Sequence, residues 1–139
     1  RFIHESGALL IDETYNANPK ATMASVDQLA DCNGIKIMVF GNMLDLGEVS
    51  DERHRDVGLH AKALGINEFL SFGLSAKLAS ETFGAGHHFE EKAQLVSWLD
   101  DYLKNNRGEP VSVMVKGSRG MKMLDIIQAL LGADYKGEA

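Results

Sequence analysis

Short apolar runs alternate with amphipathic helical patterns from one end of the chain to the other, and this alternation predicts an α/β fold. The expected architecture has three layers: a mostly parallel sheet of about six strands, helices on both faces, and one antiparallel edge strand at the N-terminus. Two further observations support it. The runs 35–40 and 111–115 are almost wholly apolar, as strands covered on both faces must be. Before Ala8 the chain is too short for a crossover, so residues 1–4 can join the sheet only as an antiparallel hairpin partner.

Taken in order, residues 8–11 form a short apolar strand that runs into Asp12-Glu13. Asn18-Pro19 then opens a helix, because Asn caps well and Pro is favoured at the first helical position. Met23, Val26 and Ala30, with Leu29 beside them, give that helix its expected apolar stripe. Residues 35–40 form the next strand, closed by Gly41. After a loop, Ser50 is the expected N-cap of a second helix, with Asp51 and Glu52 in the first turn where negative charge suits the helix dipole. Val57, Ala61 and Leu64 form its stripe, and His54, three residues before Val57, continues that stripe toward the helix N-terminus.

Residues 68–72 read as a third strand ending at Gly73, followed by a short helix around 76–82 and a short strand at 87–89. Leu95, Trp98, Leu99 and Tyr102 mark an amphipathic helix, residues 111–115 a continuous apolar strand, and Leu124, Ile127 and Leu131 a last helix. From Gly132 onward the pattern is that of a frayed tail. The layering is Rossmann-like, and the whole of 1–139 reads as one domain.

Composition narrows the function. Of 139 residues, 45% are hydrophobic and 24% charged, an ordinary globular balance, and the net charge of -6 argues against a nucleic-acid partner. A nucleotide is not excluded, since a phosphate site needs local donors rather than global charge. The single cysteine, Cys32, cannot pair within the chain, which fits a reduced, cytoplasmic setting. No apolar run approaches a membrane span, so no membrane partner is expected.

In an open parallel sheet, ligands bind beyond the carboxyl ends of the strands. Three segments at those ends are polar and unusual: 12–19, 41–48 and 116–119. In the third, Gly117 permits close backbone approach, Ser118 can donate, and Lys116 and Arg119 bring positive charge to a helix N-terminus, a set suited to an anion. A plain strand-to-helix turn capped by Ser118 explains the same residues equally well. Asp12 can orient a hydroxyl or accept from an ammonium, or be satisfied by loop amides. Asn16 and Asn18 can touch a ligand, although the Asn-Pro pair already accounts for Asn18 as a cap. Tyr15 can stack on a ring or wall its loop, and His54 can be a half-buried packing residue. No His/Cys/Asp/Glu set has metal-ligand spacing, and the chain lacks a phosphate-binding Gly-x-x-x-x-Gly-Lys loop, a Gly-x-Gly-x-x-Gly fingerprint and a Gly-x-Ser-x-Gly elbow.

Asp12 with Tyr15-Asn16-Ala17-Asn18-Pro19, then Gly41-Asn42-Met43-Leu44-Asp45-Leu46-Gly47-Glu48, then His54, then Val115-Lys116-Gly117-Ser118-Arg119 follow one another in the order and spacing of a known family. They resemble the C-terminal domain of the Mur ligases, and within that family the branch that adds D-alanyl-D-alanine to UDP-MurNAc-tripeptide. The match runs over essentially the whole chain. Tyr-Asn-Ala-Asn-Pro is its most specific element, and Lys-Gly-Ser alone is weak. Asn42 stands where the family usually has Asp, and Asp45 where it has Glu.

The resemblance implies a bacterial cell-wall enzyme of three domains, of which the N-terminal and the central, ATP- and Mg2+-binding domains lie outside this chain. The implied reaction activates a peptide carboxylate as an acyl phosphate, which the amine of D-alanyl-D-alanine attacks. It also implies roles. Asp12, Tyr15, Asn16 and Asn18 line the cleft toward the central domain, Lys116, Ser118 and Arg119 receive a carboxylate or phosphate, and His54 and Asp45 form a supporting wall. No catalytic residue and no metal ligand are expected within the chain, and the domain alone is expected to be inactive.

Other readings share the fold. A sibling Mur ligase or a folylpolyglutamate synthase has different signatures at the first loop. A receiver domain needs a phosphoacceptor Asp at its third strand, where this chain has Leu70-Ser71-Phe72-Gly73. A non-catalytic nucleotide-binding module uses the same layers without chemistry.

Overall fold

The computed structural model describes residues 1–132. The expected frayed tail therefore lies, beyond Gly132, outside the described residues. The elements are β1 (Phe2–Ile3), β2 (Leu9–Glu13), α1 (Pro19–Ala30), β3 (Ile35–Gly41), α2 (Ser50–Ala63), β4 (Glu68–Phe72), α3 (Lys77–Phe83), β5 (His87–Phe89), α4 (Lys92–Asn105), β6 (Val111–Lys116) and α5 (Leu124–Leu131). They form one six-stranded sheet in the order β1-β2-β6-β3-β4-β5. β1 is antiparallel to β2, and all other neighbours are parallel. The expected fold class is the one observed.

Alternation along the strands builds two cores. On one face Leu10, Ile37, Val39, Leu70, Val113 and Val115 pack against Leu95, Leu99 and Leu103 of α4 and Ile126, Ile127 and Leu130 of α5. On the other, Ile11, Met38, Phe40, Phe69 and Met114 pack against Val26 and Leu29 of α1, Val57 and Ala61 of α2, and Ala79 and Phe83 of α3.

Helix faces differ from the sequence reading in detail. In α1 the fully buried residues are Thr22, Ser25, Val26 and Leu29, while Met23 and Ala30 are only partly buried. The helix can turn polar residues inward because both are satisfied: the Ser25 hydroxyl donates to the Ala21 carbonyl at 3.0 Å, and the Thr22 hydroxyl to the Met43 sulfur at 3.5 Å. Leu64 leaves the α2 stripe because it follows the last helical residue and is 38% exposed. Ser50 is not a cap. A 3-10 turn at Gly47–Val49 runs straight into α2, so Ser50 is already its first residue and Val49 holds the cap position. Asn18 caps α1 as expected, its Oδ1 accepting from the Ala21 amide at 2.8 Å.

The strand order positions the site. β6, last in sequence, inserts between β2 and β3, so the segments that follow β2, β6 and β3 leave the carboxyl edge side by side. The chain passes from β2 and β3 to helices on one face of the sheet and from β6 to α5 on the other. That divergence opens the crevice in which such sheets bind ligands.

Candidate functional site at the carboxyl edge

Lys116 is the last residue of β6, with Glu13 beside it on β2 and Phe40 on β3. Its side chain is buried. Burial lowers the pKa of the ammonium, and the charge of Glu13 pulls it back upward. Among the described residues no hydrogen bond or ion pair within 4 Å is made to this ammonium. A cation seated between two strand ends, with Glu13 as its neighbouring charge, can meet an anion there.

Two glycines let the backbones converge there. A Cβ on Gly41 would stand 2.7 Å from the Met123 sulfur, and one on Gly117 would stand 2.6 Å from Met123 Cγ and 3.3 Å from Gly41 Cα. With no side chain at either position, the ends of β3 and β6 come together over Met123.

The loop after β2 is held by Asp12, whose Oδ1 accepts from the Thr14 amide at 2.9 Å and the Thr14 hydroxyl at 2.6 Å. Asn16 is exposed, and so is Asn18, whose Oδ1 is spent on the cap. Tyr15 is 75% exposed. The guanidinium of Arg119 lies 5.4 Å from its ring centroid, a cation–π contact that joins the first loop to the third. Arg119 therefore stands at the surface of the same edge as Lys116. It opens a 3-10 turn at Arg119–Met121 rather than α5 itself, which begins only after a left-handed Lys122.

Ser118 is buried, and its hydroxyl is engaged within the protein. It accepts from the Leu44 amide at 2.7 Å and lies 3.3 Å from the Ala17 carbonyl, to which it donates. Its own amide donates to the Asn42 carbonyl at 3.0 Å. It is the N-cap of the 3-10 turn by position, but its side chain does no capping.

His54 is fully buried beneath the second loop. Its Nε2 lies 2.9 Å from the Met43 amide and must accept, which leaves Nδ1–H to donate to the Ser50 carbonyl at 2.7 Å. The ring is thus neutral. Burial lowers its pKa, outweighing the upward pull of the Ser50 carbonyl and of Asp51. Asp45, paired with His54 in the expected wall, is instead exposed at the loop surface in a left-handed conformation with φ +63°, one of the residue types that tolerates it.

The Arg119–Tyr15 contact and the Ser118–Ala17 bond thus join the first and third segments at the edge where β6 ends in Lys116, His54 lies beneath the second loop, and Asn16, Asn18 and Asp45 stay on the surface. Sequence reasoning missed the side chains that join the loops. Asn42 Oδ1 accepts from the Ala76 amide at 2.8 Å, tying the second loop to the segment after β4, and Thr22 holds Met43. The Asp12-x-Thr14 spacing was the readable signal for the first-loop turn.

Two other polar groups carry no comparable chemistry. Ser71 reaches His88 Nδ1 at 2.8 Å and Ser80 at 2.6 Å, but it is fully buried and cannot attack a substrate. Folding also assembles a His/Asp/Glu group that spacing did not reveal, His4, Glu5 and Asp100. Lys104 already bridges its two carboxylates, at 3.2 Å from Glu5 and 2.8 Å from Asp100, so it is an ion-pair cluster.

The family model described as "Mur ligase, glutamate ligase domain" matches residues 1–119. This chain belongs to the Mur ligase family. The UDP-N-acetylmuramoyl-tripeptide–D-alanyl-D-alanine ligase of Escherichia coli (strain K12) is 37% identical to this Mur ligase domain over 122 residues, covering 88% of the chain and 26% of that relative. A MurF crystal structure from Acinetobacter baumannii superposes with a TM-score of 0.86 at 31% identity, over 94% of the chain and 29% of that structure. A MurF ligase from Thermotoga maritima, solved in complex with ADP, shares the fold with a TM-score of 0.80 at 23% identity, over 94% of the chain and 29% of that structure. The chain thus spans somewhat over a quarter of the length of these relatives. It matches their C-terminal region.

Proposed function

We propose that this chain is the C-terminal domain of a three-domain, ATP-dependent ligase that joins D-alanyl-D-alanine to UDP-MurNAc-tripeptide in peptidoglycan precursor synthesis. The observation that carries the reading is the buried Lys116 ammonium, seated between two strand ends with no ion pair among the described residues, at the same sheet edge as the exposed Arg119 and Tyr15. The relatives' activity supplies the substrates, and the ADP complex of a similarly folded ligase supports a nucleotide.

The edge fits an anion. It offers Lys116 and Arg119 for a carboxylate or a phosphate, with Tyr15 and Asn16 as an exposed rim toward a central domain. It does not fit a metal by itself: among the described residues the one His/Cys/Asp/Glu group close enough to share an ion is His4, Glu5 and Asp100 at the far end of the sheet. ATP and Mg2+ are therefore assigned mainly to the central domain, where ATP would supply the phosphoryl group that activates the peptide carboxylate. This chain's residues bind and orient. Lys116 and Arg119 hold the anionic end of the incoming dipeptide or part of the nucleotide, Asp12 lies at the cleft margin, and docking of the edge onto the central domain excludes water from a hydrolysable acyl phosphate.

The test is Lys116→Ala in a ligase carrying this domain. The Michaelis constant for dipeptide or ATP is expected to rise, or the turnover number to fall, by about tenfold or more, the scale of a lost charge-assisted hydrogen bond. Wild-type values for all of these would overturn the assignment. The domain alone is expected to show no ligase activity and little nucleotide binding, and calorimetric titration detecting micromolar ATP affinity would contradict that.

A further inference from the structure

We infer that Ser118 is a positioning residue: its hydroxyl fixes the first and second strand-end loops to the third, and it does not itself receive the substrate anion. The inference rests on the ligase reading above only for the identity of the substrates.

Hydrogen-bonding capacity decides between the two roles. A serine hydroxyl has one proton to give and two lone pairs. The Leu44 amide at 2.7 Å can only donate, so it takes one lone pair. The Ala17 carbonyl at 3.3 Å can only accept, so it takes the proton. A lone pair remains, but a carboxylate or phosphate needs donors and gains nothing from it. Ser118 could serve the anion only by releasing Ala17, a carbonyl in a largely buried position.

The consequence is mechanical. Ala17 stands immediately before the cap of α1, Leu44 lies at the centre of the second loop, and Ser118 follows Lys116 by two residues. One hydroxyl therefore sets where the Tyr15 rim, the second loop and the two cations lie with respect to one another. The Ser118 amide on the Asn42 carbonyl adds a second link between loops two and three, and His54 holds Met43 from beneath. Leu44 also packs over the third loop, its Cδ1 lying 3.0 Å from where a Cβ on Gly120 would be. None of these links involves the Lys116 ammonium or the Arg119 guanidinium.

The experiment is Ser118→Ala in the ligase carrying this domain, with Ser118→Cys, which keeps a side chain of similar shape but donates weakly, as a second variant. Amide hydrogen exchange is measured without ligands. The Leu44 amide is expected to exchange up to about tenfold faster in Ser118→Ala and by an intermediate amount in Ser118→Cys, while amides in β3 and β6 keep wild-type rates. In steady-state kinetics the Michaelis constants for dipeptide and ATP are expected to rise together, because the loops that share the two ligands lose register.

Unchanged Leu44 exchange in both variants would overturn the inference. So would a raised constant for one substrate alone with Leu44 protection intact, which is the signature of direct contact. If Leu44 exchange rises but the unsubstituted protein joins no D-alanyl-D-alanine, the hydroxyl link stands and the substrate assignment is what fails.

Discussion

Each end of the sheet buries a histidine, and the two are held in opposite ways. At the carboxyl edge His54 is enclosed by backbone: Nε2 accepts from the Met43 amide and Nδ1 donates to the Ser50 carbonyl. At the amino edge His4 Nδ1 accepts from the Ser6 amide at 3.0 Å, and Nε2 donates to the Asp100 carboxylate at 2.7 Å. Burial raises the pKa of Asp100, but hydrogen bonds from Lys104 and His4, with the Lys104 charge, outweigh it and hold the carboxyl below its usual range. Around it Lys104, Glu5 and Arg107 form a partly exposed ion network. The carboxyl edge is thus fixed by short neutral bonds between loops, in which neither Lys116 nor Arg119 takes part. The amino edge spends its charges on itself and pins the N-terminal hairpin to α4.

This contrast can be broken most severely at His54. His54→Ala removes the acceptor of the Met43 amide and the donor to the Ser50 carbonyl, and it leaves a void under Phe40, whose ring centroid lies 5.7 Å from the imidazole. Loss of about 2–4 kcal/mol in chemical denaturation is expected, from an unmet buried amide plus a cavity. A loss under about 0.5 kcal/mol would show that the loop does not depend on the ring.

Next comes Asp100→Ala, which leaves the His4 Nε2–H buried and unpaired, at an expected cost of about 1–2 kcal/mol. Asp100→Asn, which keeps an oxygen for His4 and gives up the charge, should recover most of that. If the two variants are equally unstable, the ion network rather than the single hydrogen bond holds the hairpin.

A smaller effect follows from acid. The His54 pKa is depressed in the fold, while in the unfolded chain it is about 6.5. As pH falls below that value the unfolded state binds a proton that the folded state resists, so stability falls toward acid and levels off above about pH 7. His88 is also lowered, chiefly by burial, and adds to the same slope. Urea unfolding followed from about pH 7.5 to 5 should show a shallower acid loss in His54→Gln than in the wild type, with the His88 part remaining. Identical slopes would mean that His54 does not resist protonation.

The smallest effect is expected at Asn42. Asn42→Asp keeps an oxygen for the Ala76 amide and should change stability by less than about 0.5 kcal/mol. Asn42→Ala removes it and should cost about 1 kcal/mol. Equal costs would show that the carboxamide nitrogen matters as well. On this geometry an Asp and an Asn at this position can hold the loop in the same way, so the departure from the family's usual residue does not dismantle it.

Much of this was legible in the chain. The Asn18-Pro19 start of α1, the apolar runs of β3 and β6 and the inward turn of His54 follow from local chemistry: cap preference, strand patterning and helical periodicity. Element starts were less readable where a 3-10 turn intervenes, as before Ser50 and after Ser118, because such turns lack a strong sequence pattern. The inward Thr22 and Ser25 escape a reading by periodicity because their hydroxyls are satisfied by partners that periodicity does not see.

The sequence by itself determined the α/β class, and it pointed to the carboxyl edge of the sheet and to Lys116 and Arg119 as the residues to consider there. Only the tertiary structure decided that β6 inserts between β2 and β3. That insertion places loops about a hundred residues apart within one hydroxyl's reach, since Ser118 and Ala17 are separated by 101 positions. Strand order is set by the packing of helices on two opposite faces, a property of the whole core that no local pattern encodes. The same packing divides the polar groups between two roles. Ser118 and His54 join the loops, while Lys116 and Arg119 take no part in those links.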